Sequence, residues 1–138
     1  MPLFHKGIFH LFSGRTADWE IDCGTLTRED WSCIADLILE RCPNFSHVDC
    51  ASTSGLILKD LLTPHVTTGD ILLINDVLDI DRMQAKRLWY RTRKEYYNKD
   101  ILGYVVFARM PCPNWIRSLW QLDVRTNEWE APVGSFNL

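Results

Sequence analysis

The chain has 138 residues, 46% of them hydrophobic and 24% charged, with six Trp, six Phe and four Tyr, so it carries enough apolar material to bury a core and is excluded from the disordered class. That length fits one domain, residues 1–138, and excludes two of ordinary size. Fifteen Lys and Arg against 18 Asp and Glu leave a formal charge of −3, which supplies no global field for a polyanion and disfavours duplex nucleic acid as a partner.

No apolar run approaches the ~20 residues that span a bilayer, so a membrane partner is not expected. The N-terminal segment MPLFHKGIFHLF is broken by His5, Lys6 and His10 and lacks a small-residue cleavage site, so it reads as mature sequence. Residues 11–23 open on turn residues Ser13 and Gly14. They then alternate Trp19, Ile21 and Cys23 against Glu20 and Asp22, the pattern of a short half-buried strand. Thr25 and Thr27 precede Glu29 and Asp30, after which Trp31, Ile34, Ala35 and Ile38 recur at helical spacing. A Thr-capped helix is predicted over 28–41, ended by Pro43.

Residues 45–51 read as a strand, and Ser52, Thr53, Ser54 and Gly55 as a polar turn before the helical LILKDLL. Past Gly69, the unbroken apolar run of DILLINDVL predicts a strand covered on both faces, in the middle of a sheet. Asp79, Ile80 and Asp81 lead into a basic helix, RMQAKRLWYRTRKEYYNK, with Met83, Leu88, Trp89 and Tyr96 available for packing. ILGYVVFAR, 101–109, is a third core strand, and residues 120–129 read as an edge hairpin.

Strand, helix, strand, helix and strand with short turns predict an α/β class: a Rossmann-like, right-handed parallel βαβαβ core with an N-terminal strand and a C-terminal β-hairpin. Ligands of such open sheets bind outside the carboxyl ends of the strands. That rule selects the loops 51–55, 75–81 and 109–115. Five cysteines, an odd number without C-x-x-C spacing or metal spacing to a His, read as reduced thiols of a cytoplasmic protein. His5, His10, His47 and His65 show no partner spacing, and no metal site is assigned.

ILLINDVLDID, an apolar strand running into polar residues and a helix-opening loop, resembles the phosphoribosyl-diphosphate motif of type I phosphoribosyltransferases. FSGRTADWEIDC with LTREDW resembles the N-terminal block of small phage and bacterial proteins of that kind. VDCASTSGL stands where they carry a diphosphate loop, and GYVVFARMPCPNW resembles their closing strand. The ordered set of four blocks spans residues 11–122.

The resemblance implies that Asn75 and Asp76 hold the ribose hydroxyls and that the following loop receives the 5′-phosphate. Two departures follow. Only Asp76 of the pair is an acid, although Asn75 still hydrogen-bonds a hydroxyl. Asp79, Ile80 and Asp81 occupy the positions of a Thr-Thr-Gly phosphate loop. At ~5 Å and an effective dielectric of ~20, a carboxylate and a phosphate charge repel by ~3 kcal/mol, against ~1.5–3 kcal/mol from a charge-assisted hydrogen bond. A third departure is Glu20, where relatives often carry Lys.

The resemblance therefore implies a degenerate motif on a retained fold: a pseudoenzyme with no catalytic residue assigned. Its ligand-binding candidates are Ser52, Thr53, Ser54, Gly55, Asn75, Asp76, Arg109 and Trp115. Small hydroxyl residues before a helix suit an anion, Arg109 pairs with one by position, and Trp115 is placed to stack on a base. Arg15, Lys59 and Arg82 read more simply as surface cations. Asp79 and Asp81 read more simply as helix N-terminal acids than as ligands.

The expected partner is a nucleotide or phosphorylated ribose derivative, and a phage protein of this kind would sequester a signalling nucleotide as an anti-defence factor in the host-cell cytoplasm. Homodimerisation is implied by the resemblance alone. Two alternatives stay open. One is an active transferase acting on a nucleobase with Mg²⁺ held by Asp76, Asp79 and Asp81. The other is an interaction scaffold using the basic run 86–94 or the Trp-bearing tail.

Overall fold

The structure is a computed structural model, and it describes residues 3–10, 16–50, 52–78 and 83–122. Strands β1 (Phe4–His10) and β2 (Thr16–Ile21) form an antiparallel pair of their own. A 3-10 turn at Cys23–Thr25 follows, with the Asp22 carboxylate accepting the Gly24 N–H at 3.0 Å. Helix α1 (Arg28–Arg41) opens with a reciprocal capping box. The Thr27 hydroxyl accepts the Asp30 N–H at 3.1 Å, and the Asp30 carboxylate accepts the Thr27 N–H at 2.8 Å.

The remaining elements are β3 (Phe45–Cys50), α2 (Leu56–Leu62), a 3-10 turn at Thr63–His65, β4 (Asp70–Leu78), α3 (Met83–Glu95), β5 (Ile101–Ala108) and β6 (Ile116–Gln121). The four later strands make one parallel sheet in the order β3-β4-β5-β6. β4 is internal, as its unbroken apolar run requires, and Ile71, Leu72, Leu73 and Ile74 are all buried.

Leu72, Ile74, Tyr104 and Val106 point to one face, where they meet Trp31, Ile34 and Ile38 of α1 and Leu58 and Leu62 of α2. Ile71, Leu73 and Ile101 point to the other, against Leu88 of α3. The chain steps in the same direction from β3 to β4 and from β4 to β5, so crossovers on opposite faces are of opposite hand. The uniform right-handed winding expected from the sequence is therefore not kept. Its cause is local: α2 docks beside α1, where Leu58 and Leu62 complete an apolar cluster that α1 has already begun.

Alternation along β4 slips by one residue near its end. Val77 packs on the α1 side with Leu72 and Ile74, while Leu78 joins Ala85, Val105 and Ala108 on the α3 side. Side chains compete with the ladder at that point: Asn75 Oδ1 accepts the Asp76 N–H at 3.0 Å, and Asp76 Oδ1 accepts the Val77 N–H at 2.8 Å.

Two expectations change at the ends of the chain. The predicted N-terminal strand is β2, and it has a partner, β1, that was not assigned from the sequence. At the other end, Trp120 and Gln121 finish the parallel strand β6 instead of opening a hairpin, and the rest of the expected hairpin to Trp129 lies outside the described residues. A parallel connection usually takes a dozen or more residues, whereas 109–115 uses seven. The Pro113 carbonyl accepts the Ile116 N–H at 3.1 Å, so the link ends in a turn that feeds directly into β6. Among the described residues no helix is long and apolar enough to cross a membrane.

Candidate functional site

β3 and β4 run parallel, so their carboxyl ends lie side by side and bring the 52–55 turn next to Asn75 and Asp76. The Ser54 hydroxyl donates to Asp76 Oδ2, which ties the turn to β4 across 22 residues of sequence. Ser52 shapes the turn from within. Its hydroxyl accepts the Gly55 N–H at 3.3 Å, and its carbonyl accepts the Cys50 thiol at 3.2 Å. Thr53 is exposed at the tip.

Gly55 sits just before α2 with φ −83° and ψ −3°, a conformation any residue adopts. Space is what restricts this position. A Cβ there would lie 2.6 Å from Cys50 Sγ and 2.8 Å from Ser52 Oγ.

Asp76 is half-buried, with each carboxylate oxygen already accepting one hydrogen bond, from the Val77 N–H and from Ser54. Each oxygen keeps further acceptor capacity for a hydroxyl. Asn75 is 8% exposed. Two cysteines that the sequence did not single out complete the surroundings. Burial first, then the Asp76 carboxylate, then Asp22 push the Cys23 thiol from 9.0 up to about 12. Burial also raises Cys50, with Asp76 and Asp49 adding to it while the Ser52 hydrogen bonds oppose it. Both thiols are held neutral beside a carboxylate, so neither is a nucleophile at neutral pH.

Arg109 is the first residue past β5. Its N–H donates to the Leu78 carbonyl at 2.9 Å, which places it at the carboxyl edge beyond Asn75 and Asp76, and its side chain is buried. Trp115 is not brought to this edge. Its carbonyl accepts the Gly103 N–H at 2.7 Å, near the start of β5, and its ring fills the space where Gly103 lacks a Cβ. Trp89 of α3 lies against it with ring centroids 6.5 Å apart. Trp115 is thus a packing residue on the α3 face of the sheet, where it lines a small apolar cavity together with Asn75 and Leu88.

Lys59 pairs with Asp49 at 3.3 Å, on the outer strand. Glu20 stands opposite His5 in the separate hairpin. Arg15, Asp79, Ile80, Asp81 and Arg82 lie outside the described residues. Among the described residues no three His, Cys, Asp or Glu side chains converge as metal ligands.

No family model and no curated protein matches the sequence. Among solved structures, the chain is similar to the orotate phosphoribosyltransferase of Aeropyrum pernix, with 20% identity and a TM-score of 0.60 over 78% of this chain and 76% of that one. It is also similar to the orotate phosphoribosyltransferase of Francisella tularensis, with 14% identity and a TM-score of 0.48 over 81% and 69% of the two chains. The first likeness establishes the fold as α/β of the phosphoribosyltransferase kind.

Proposed function

We propose that this chain binds a nucleotide or a phosphorylated ribose derivative at the carboxyl ends of β3 and β4 and does not transfer it. The observation that carries this reading is the Ser54–Asp76 hydrogen bond, which fixes a turn of small hydroxyl residues beside a carboxylate. The carboxylate suits a sugar hydroxyl, and the Ser52 and Thr53 hydroxyls suit a phosphate oxygen, while the Ser54 proton is committed to Asp76 and holds the turn in place. The fold shared with an orotate phosphoribosyltransferase supports a phosphoribosyl ligand for that place. The absence of turnover rests on sequence: Asp79 and Asp81 follow β4, and two carboxylates oppose a diphosphate more strongly than one hydrogen bond offsets. Binding without turnover is sequestration, the role implied for a phage protein that removes a signalling nucleotide.

The test is calorimetry of the whole chain with ribose 5-phosphate and a panel of nucleoside monophosphates, alongside diphosphate release from phosphoribosyl diphosphate and free bases in Mg²⁺. One ligand is expected to bind at one site and to weaken by about 10- to 100-fold in Asp76→Ala, the loss of one hydrogen bond to a charged group. Ser54→Ala is expected to weaken it less. No diphosphate is expected. Silence across the panel from folded protein defeats the binding claim, and diphosphate release that Asp76→Ala abolishes establishes a Mg²⁺-dependent transferase instead.

A further inference from the structure

The two longest helices carry opposite charge on their outer surfaces. On α1, Glu29, Asp36 and Glu40 are exposed, at intervals of seven and four residues that place them on one stripe, with exposed Cys33 between them. Arg28 and Arg41 stand at the two ends of that helix. On α3, Arg87, Arg91 and Lys94 are exposed at intervals of four and three, again one stripe, with exposed Tyr90 beside it. Lys86 adds a half-exposed cation, whereas Arg93 is turned aside to donate to the Tyr97 and Lys99 carbonyls. The helix therefore holds five cations against Glu95 in a chain whose net charge is −3.

Arg91 also reaches Asp49 at 3.3 Å, yet its side chain remains 68% exposed, so the pair leaves it open to a second carboxylate.

The acidic and basic stripes cannot meet within one molecule, because α1 and α3 cover opposite faces of the sheet. A second copy brings them together. The interval of four between Arg87 and Arg91 equals that between Asp36 and Glu40, a step of ~6 Å along either helix. Set antiparallel, with Arg87 opposite Glu40 and Arg91 opposite Asp36, the helices place position 94 opposite Cys33.

From this complementarity we infer that the chain associates with itself head to tail, the α3 stripe of one copy docking on the α1 stripe of the next. The contact joins two different surfaces, so each added copy leaves both kinds of surface available at the ends. It is electrostatic and therefore weak and salt-sensitive.

Sedimentation velocity of the full chain over a concentration series tests this. Association is expected at 20 mM NaCl and is expected to weaken at least ~10-fold at 500 mM, where screening shortens the reach of the charges. The double reversal Arg91→Glu with Lys94→Glu is expected to leave a monomer, and adding Asp36→Lys, the position that faces 91, is expected to restore association because Arg87 still faces Glu40.

A position-specific readout is Lys94→Cys with diamide, which accepts the two electrons and two protons released when two thiols join. Cross-linked ladders through Cys33 are expected, and these should vanish in Lys94→Cys with Cys33→Ser. A monomer at 20 mM salt, association untouched by the double reversal, or no ladder through Cys33 each overturns the inference. So does binding of single-stranded RNA to α3 without self-association, which assigns the basic stripe to a different partner.

Discussion

Replacing Gly55 with alanine tests the packing of the candidate site directly. The backbone there is in the right-handed helical region, so Gly55→Ala adds no torsional strain and removes ~0.4–1 kcal/mol of unfolded-state entropy. Against this gain, the new methyl would sit 2.6 Å from Cys50 Sγ and 2.8 Å from Ser52 Oγ. Ordinary contact begins near ~3.5 Å, so the sulfur must move by about 1 Å. That movement breaks its hydrogen bond to the Ser52 carbonyl and disturbs the Ser52–Gly55 bond as well.

Overpacking of this kind costs about 1–3 kcal/mol. With two atoms in the way the upper half of that range applies, giving a net loss of about 1.5–2 kcal/mol. For a chain of this length the loss lowers Tm by roughly 5–10 °C.

Urea and thermal unfolding followed by tryptophan fluorescence measure the cost. The decisive comparison is a double-mutant cycle with Cys50→Ala, which removes the nearer obstacle and is expected to recover at least ~1 kcal/mol. If Gly55→Ala stays within ~0.5 kcal/mol of the parent, or if the two changes simply add, the tight approach of turn and strand is refuted.

Removing the helix cap in Thr27→Ala breaks the reciprocal bonds with Asp30 and is expected to cost ~1 kcal/mol in urea unfolding with no change in ligand binding. Cys23 gives a pH dependence of definite sign. Its folded pKa is raised, so the folded state keeps a proton that the unfolded chain releases above about 9, and the stability this provides is complete below that pH. It is lost as pH climbs from 9.0 through about 12. Unfolding midpoints measured from pH 8 to 11 are expected to fall less steeply in Cys23→Ala than in the parent, and equal slopes would show that the thiol is not buried beside Asp76.

The sequence carries most of the central architecture because the relevant signals are local. Thr27, Asp30 and Pro43 delimit α1, and the run Ile71 to Ile74 marks a strand covered on both sides. The sixth strand was hidden for a physical reason: a link of seven residues is short for a parallel crossover, so the alternation after it suggested a hairpin. β1 was missed because His5, Lys6 and His10 interrupt its apolar residues, and its pairing with β2 is set by register rather than by composition. At the candidate site, the turn and the Asn75–Asp76 pair were legible as separate segments, but the bond between Ser54 and Asp76 joins residues too far apart for periodicity to reveal. The same holds for Cys23 and Cys50, which acquire their raised pKa values only when folding buries them near Asp76. Trp115 followed a loop at the ligand-facing edge in sequence, yet the short crossover carries it down to Gly103.

That taut link between β5 and β6 also bears on the order in which the sheet assembles. Gly103 meets Ile116 only 13 positions along the chain, whereas Ile71 meets Ile101 at a separation of 30. Closing the smaller ring sacrifices less chain entropy, by about 0.7 kcal/mol from the logarithmic dependence on length. The C-terminal edge of the sheet is therefore the least costly parallel register for the unfolded polypeptide to find, and it can act as a template on which the more distant strands align.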